Sequence, residues 1–121
     1  MAAALADVPG SGPITVEIPI RYSHFEREAV TVRAGTAVTF VLRNGDPIDH
    51  GWIVGDTAVH ERHRTGTEPD HASRPTEVTI RAGTAATTTV TFTKPGTYRY
   101  ICHLPGHEAY GMVGTLRVTG D

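Results

Sequence analysis

A thiol, an imidazole and a thioether fall close together in the stretch Cys102-His-Leu-Pro-Gly-His107-Glu-Ala-Tyr-Gly-Met112. Cys102 is the single cysteine of the chain, so no internal disulfide competes for it, and its neighbours decide whether it is an inert thiol, a reactive group or a metal ligand. Those neighbours are of the types that ligate metals. A soft thiolate and a weak thioether stabilise Cu(I), while imidazoles serve both oxidation states of copper, so neither state is strongly preferred. Two histidines and a cysteine around the ion with a long axial methionine make an electron-transfer copper site, and this stretch supplies all but one of the four.

The missing imidazole must come from another part of the chain. His50, in Leu42-Arg-Asn44-Gly-Asp-Pro-Ile-Asp-His50-Gly-Trp52, follows an apolar run and a turn, where a loop would reach back over the core. It is the first candidate, His24 at the end of an earlier strand the second, and His60 or His63 the third. The metal set expected is therefore His50, Cys102, His107 and Met112, with one copper ion per chain. His60, His63 and His71, together with His103, make a candidate second metal group, since a histidine-rich tract can bind metal, although a polar loop explains the first three equally. His103 directly follows Cys102, and successive side chains on a strand face opposite ways, so it is expected to point away from the copper.

Strands must carry these ligands. The segments Ile14-Thr-Val-Glu-Ile18, Ala29-Val-Thr-Val-Arg33, Ala37-Val-Thr-Phe-Val-Leu42, Glu77-Val-Thr-Ile-Arg81 and Thr88-Thr-Val-Thr-Phe92 alternate apolar and polar residues and are rich in Val, Ile and Thr. Tyr98-Arg-Tyr-Ile101 and Val113-Gly-Thr-Leu-Arg-Val118 follow, one delivering Cys102 and the other leaving Met112, with Pro105 and Gly106 turning the chain between them. Turn signals at Ala34-Gly35-Thr36, Asn44-Gly45-Asp46-Pro47, Ala82-Gly83-Thr84 and Lys94-Pro95-Gly96-Thr97 separate the runs. No segment shows a sustained helical period. Seven or eight short strands with regular turns predict an all-β chain folded as an antiparallel β-sandwich. The run from Asp56 to Thr76 has no alternation and reads as a long surface loop. Residues 1–12 are expected to be a flexible N-terminal segment and residues 13–121 a single domain.

Composition narrows the partners. At 121 residues, 39% hydrophobic and 20% charged, the chain can bury a core without disulfides. A formal charge of -2 with no basic run argues against nucleic acid. No apolar stretch approaches the roughly 18 residues of a membrane span. The start, Met1 to Asp7, lacks the basic and apolar regions of a signal peptide, which leaves two readings, a cytoplasmic protein or an exported one whose signal is absent from these residues.

With Cys102-x4-His107-x4-Met112 in place, and Ala34-Gly35-Thr36-Ala-Val-Thr-Phe40 leading through Asn44 to His50, the chain resembles the cupredoxins, the family of plastocyanin, azurin, auracyanin and rusticyanin. The resemblance covers roughly residues 14 to 119 apart from the loop at 56–76. It implies a Greek-key sandwich, a mononuclear type 1 copper at one end, and outer-sphere electron transfer to transient redox partner proteins. It also implies that His107, between Gly106 and Gly111, is the exposed ligand edge, and that the protein works in the periplasm or outside the cell. Trp52 is expected in the core or flanking the site, Tyr98 and Tyr100 to pack, and Glu108 and Tyr110, in the ligand loop, either to meet a partner or simply to be exposed.

Two features depart from the family pattern. Many members carry a hydrogen-bonding side chain directly after the first histidine, where this chain has Gly51. His103 resembles one of the two histidines that flank the type 1 cysteine in multicopper oxidases, but Ile101 stands at the other position. Two rival functions follow: a copper-bearing subunit of an oxidase or nitrite-reductase-like enzyme, and a copper storage or delivery protein.

Overall fold

A computed structural model describes residues 12–65 and 74–120. His71 and nearly all of the expected flexible segment 1–12 lie outside the described residues. The strands are β1 (Ile14–Arg21), β2 (His24–Phe25), β3 (Ala29–Arg33), β4 (Ala37–Asn44), β5 (His50–Gly55), β6 (Glu77–Ile80), β7 (Ala85–Thr91), β8 (Gly96–Ile101) and β9 (Val113–Thr119), with helices α1 (Thr57–Arg64) and α2 (His107–Tyr110).

Alternating sequence becomes two facing layers. One sheet has the order β2-β1-β4-β7 and the other β3-β9-β8-β5-β6. The sandwich is antiparallel as expected except at two pairs: β1 runs parallel to β4 and β3 parallel to β9, because Greek-key crossovers between the sheets bring these strands side by side in the same direction. The inward residues Ile18, Ile20, Val32, Phe40, Leu42, Trp52, Ile80, Tyr100 and Leu116 are fully buried between the sheets. Phe40 and Trp52 pack with ring centroids 4.8 Å apart across that core. Trp52 and Tyr100 are core residues, as expected, and Tyr98 packs partly buried against the same cluster.

Two elements escape the alternation rule. β5, His-Gly-Trp-Ile-Val-Gly, is buried along five of its six residues because one face meets the opposite sheet and the other is covered by α1. A strand covered on both faces reads as a continuous apolar run and hides its period. α1 takes up the first part of the expected loop at 56–76. Its cap is the Asp56 side chain, which accepts from the Val59 N–H at 3.1 Å, and its last turn carries Arg62, His63 and Arg64, favourable at the negative end of a helix. The helix lacks an aliphatic stripe because the side chains it turns inward include His60 and His63. It lies so close to β5 that a Cβ on Gly55 would come 2.8 Å from the Val59 side chain.

The β1–β2 connection is tight. Tyr22 and Ser23 sit at φ 54° and 55°, a left-handed conformation costing on the order of 1–3 kcal/mol per non-glycine residue unless neighbours hold it.

Candidate metal centre

The start of β5, the end of β8 and the start of β9 meet at one end of the five-stranded sheet. Cys102 follows the last residue of β8, is fully buried, and donates its N–H to the Met112 carbonyl at 3.2 Å as the chain returns. Between them Met112 N–H donates to the His107 carbonyl at 3.0 Å and His107 N–H to that of Leu104 at 3.0 Å. Gly106 and Gly111 flank α2 at φ 80° and 115°, the region only glycine enters freely, which lets four helical residues fold back over the strand ends.

The three donors converge. His50, Cys102 and His107 offer ligand atoms that all lie within 4.8 Å of one another, and among the described residues no other group of three or more His, Cys, Asp or Glu does so. The Cys102 Sγ is 3.4 Å from His107 Nδ1, and the two imidazole rings are 5.2 Å apart at 62°. Protein nitrogen and sulfur donors bind a first-row ion at about 2.0–2.3 Å, so atoms spaced in this way can share one. Met112 is fully buried at the head of β9, tied by its backbone to both Cys102 and His107.

Each donor is oriented from behind. His50 is fully buried, and its Nε2 lies 2.8 Å from Asp46 Oδ2. Burial alone would raise the Asp46 carboxyl, but the Ser23 N–H, His50 and the Tyr22 N–H outweigh it and hold the group below its ordinary range. An ionised carboxylate can only accept, so the proton sits on His50 Nε2 and Nδ1 carries a bare lone pair. That Nδ1 is buried with no hydrogen-bond partner, which is where a metal ligand should stand. Gly51 N–H donates to the Cys102 sulfur at 3.3 Å, so the backbone supplies a contact that Gly51 has no side chain to make. Burial pushes the Cys102 thiol up, and the Gly51 and Leu104 N–H groups pull it part of the way back. Burial, and after it the neighbouring His50 ring, hold His107 below its usual value, favouring the neutral form a ligand needs.

The remaining histidines take other places. His24 lies against Tyr110 with ring centroids 5.0 Å apart at a 43° tilt and points Nδ1 to the Tyr22 carbonyl at 2.9 Å, outside the converging group. His103 turns away from Cys102, as strand alternation predicts, and meets α1. There its Nε2 lies 2.9 Å from His60 Nδ1, its ring stacks on His63 at 5.5 Å, and its Nδ1 is 3.7 Å from Glu108. Burial holds His103 down to about 4 and also depresses His60, whose Nε2 reaches the Arg99 carbonyl at 2.9 Å. Arg64 grips Glu108 with Nε and Nη2 at 3.0 and 2.6 Å, so Glu108 faces α1 at its carboxylate. Asp46 was not among the residues expected at the site. An aspartate in an Asn-Gly-Asp-Pro turn reads as a turn former, and its position four residues before His50 was the one signal available.

A family model described as copper binding proteins, plastocyanin/azurin family, matches residues 14–119. The copper-resistant cuproprotein CopI of Rubrivivax gelatinosus is 37% identical over 98 residues, covering 78% of this chain and 59% of that protein, so the chain spans less than two thirds of that relative. Auracyanin-A of Chloroflexus aurantiacus is 33% identical over 114 residues, covering 81% of this chain and 70% of that one. The solved structure of auracyanin A, a "blue" copper protein, matches with a TM-score of 0.71 at 29% identity over 89% of this chain and all of that one. Fold, donor set and sequence agree, and the chain belongs to the plastocyanin/azurin family of copper-binding proteins.

Proposed function

We propose that His50 Nδ1, Cys102 Sγ and His107 Nδ1 hold one copper ion, with Met112 as the axial thioether, and that the protein carries single electrons between transient protein partners. The observation that carries this reading is the buried, unpartnered Nδ1 of His50, whose other ring nitrogen is held by Asp46, in a histidine that converges with Cys102 and His107. Bound copper supplies the one-electron couple. The residues supply a fixed cage: Asp46 holds the imidazole, Gly51 N–H holds the sulfur, and the fully buried Met112 would offer its thioether to the ion. His107 is the partly exposed ligand, and Leu104 and Tyr110 beside it are exposed apolar side chains, a small contact of the kind a short-lived complex uses. The compartment we infer is the periplasm or the cell exterior, on the family resemblance. The test is one spectrum with metal analysis. Protein loaded with Cu(II) should bind one ion per chain and show an intense thiolate-to-copper band that Cys102→Ser abolishes; a band that survives the substitution defeats the assignment.

A second reading, copper storage or delivery, draws on the name of the copper-resistance relative and on the packing of His60, His63 and His103. It requires a second, weaker ion in copper titrations that disappears in His60→Ala and His103→Ala proteins.

A further inference from the structure

We infer that Asp46 is a positioning residue for the copper site, one that sets the balance between Cu(II) and Cu(I) through His50; this rests on the site proposed above. Asp46 is buried, and three N–H donors converge on its carboxylate: Tyr22 on Oδ1 at 2.7 Å, and Ser23 and His50 Nε2 on Oδ2 at 2.8 Å each. Its own backbone is held as well, with its N–H on Asn44 Oδ1 at 2.9 Å and its carbonyl accepting from Gly83 N–H at 3.1 Å. Asn44 in turn donates to the carbonyls of Ile48 and Ile80 at 2.8 and 3.1 Å. The carboxylate therefore cannot swing away from His50.

Two consequences follow for the ligand. A fixed acceptor at Nε2 leaves one tautomer, with the buried Nδ1 bare, so His50 is ready before any ion arrives. A full negative charge one imidazole away, in surroundings that screen it poorly, favours the more highly charged ion. The same carboxylate holds Tyr22 and Ser23 in their left-handed turn, so a structural role must be separated from the electronic one.

The experiment does so. In metal-free protein, nitrogen NMR of His50 should show the proton on Nε2 and a bare Nδ1; a proton on Nδ1 overturns the inference. In copper-loaded protein, Asp46→Asn should weaken Cu(II) binding about 10–100-fold and Cu(I) binding much less. A tenfold fall in the Cu(II)/Cu(I) affinity ratio is a rise of about 59 mV in potential. Equal losses for both ions overturn it. Tyr22→Gly and Ser23→Gly, added to Asp46→Asn, relieve the turn and should recover melting temperature without recovering the ratio. Recovery of the ratio would mean that Asp46 acts only through the turn. If wild-type protein takes up no copper, the site reading fails by itself, and the tautomer in metal-free protein still decides the positioning role.

Discussion

The backbone N–H of Gly51 points at the sulfur of Cys102 from 3.3 Å, across strands whose residues are 51 positions apart in the chain. The thiolate is thus held by main chain belonging to the strand that also carries His50, and the residue after that ligand needs no side chain for the purpose. A Cβ at position 51 would have only the Val78 carbonyl near it, at 3.9 Å. Gly51→Ala is expected to keep the visible band in place and change stability by less than about 1 kcal/mol, as substitutions without steric conflict do. Absorption spectra and urea melts check both.

Met112 is expected to tune rather than to hold. Met112→Leu conserves volume in a fully buried position, so its stability cost should stay under about 1.5 kcal/mol. Copper should remain bound while the potential rises, because a weak axial ligand is removed and the three stronger donors stay. Voltammetry beside metal analysis would expose the opposite result, loss of the ion.

Acid should loosen the contact between α1 and β8. Burial holds His60 below its ordinary value of 6.5, so the folded chain favours the neutral ring more than the unfolded chain does. Its contribution is complete above about 6.5 and is lost as pH falls below that value, with a slope of up to about 1.4 kcal/mol per pH unit for one proton. Urea unfolding of metal-free protein between pH 7.5 and 5 should show a shallower pH dependence for His60→Gln than for wild type. Parallel curves would rule this out.

Two glycines mark contacts with no room to spare. A Cβ on Gly114 would fall 2.1 Å from the Tyr100 ring, and one on Gly55 2.8 Å from Val59. Gly114→Ala should destabilise at or above the upper end of the about 1–3 kcal/mol typical of overpacking, because Tyr100 is fully buried and packed against Phe25 at 5.2 Å. Gly55→Ala should cost less, since α1 lies outside the sandwich and can shift outward. Thermal melts of the two variants rank them.

Much of this was legible in the sequence, for definite reasons. Strands with one wet face, such as Ala29–Arg33 and Val113–Thr119, announce themselves by alternation. Cys102, His107 and Met112 announce themselves by contiguity, since one turn delivers all three donors. β5 did not, being covered on both faces, and α1 did not, because histidines occupy places on its inner side where aliphatic residues would mark a helix. His103 and His60 lie 43 residues apart, so their meeting could not be read from spacing. Asp46 and the Gly51 N–H were hidden for a different reason: one looks like an ordinary turn residue and the other is backbone, which carries no letter.

β5 and β8 pair with Ile53 opposite Ile101, and this register puts Cys102 and His50 at the same end of the sheet. A slip of one residue would turn every side chain of a strand to the other face, Cys102 included. The apolar residues Ile53, Val54, Tyr100 and Ile101 touch no metal, yet their interlock sets the alignment on which thiolate and imidazole meet. Loss of colour would therefore report on misalignment in the interior, and mutations remote from the copper could bleach the protein while leaving every ligand intact.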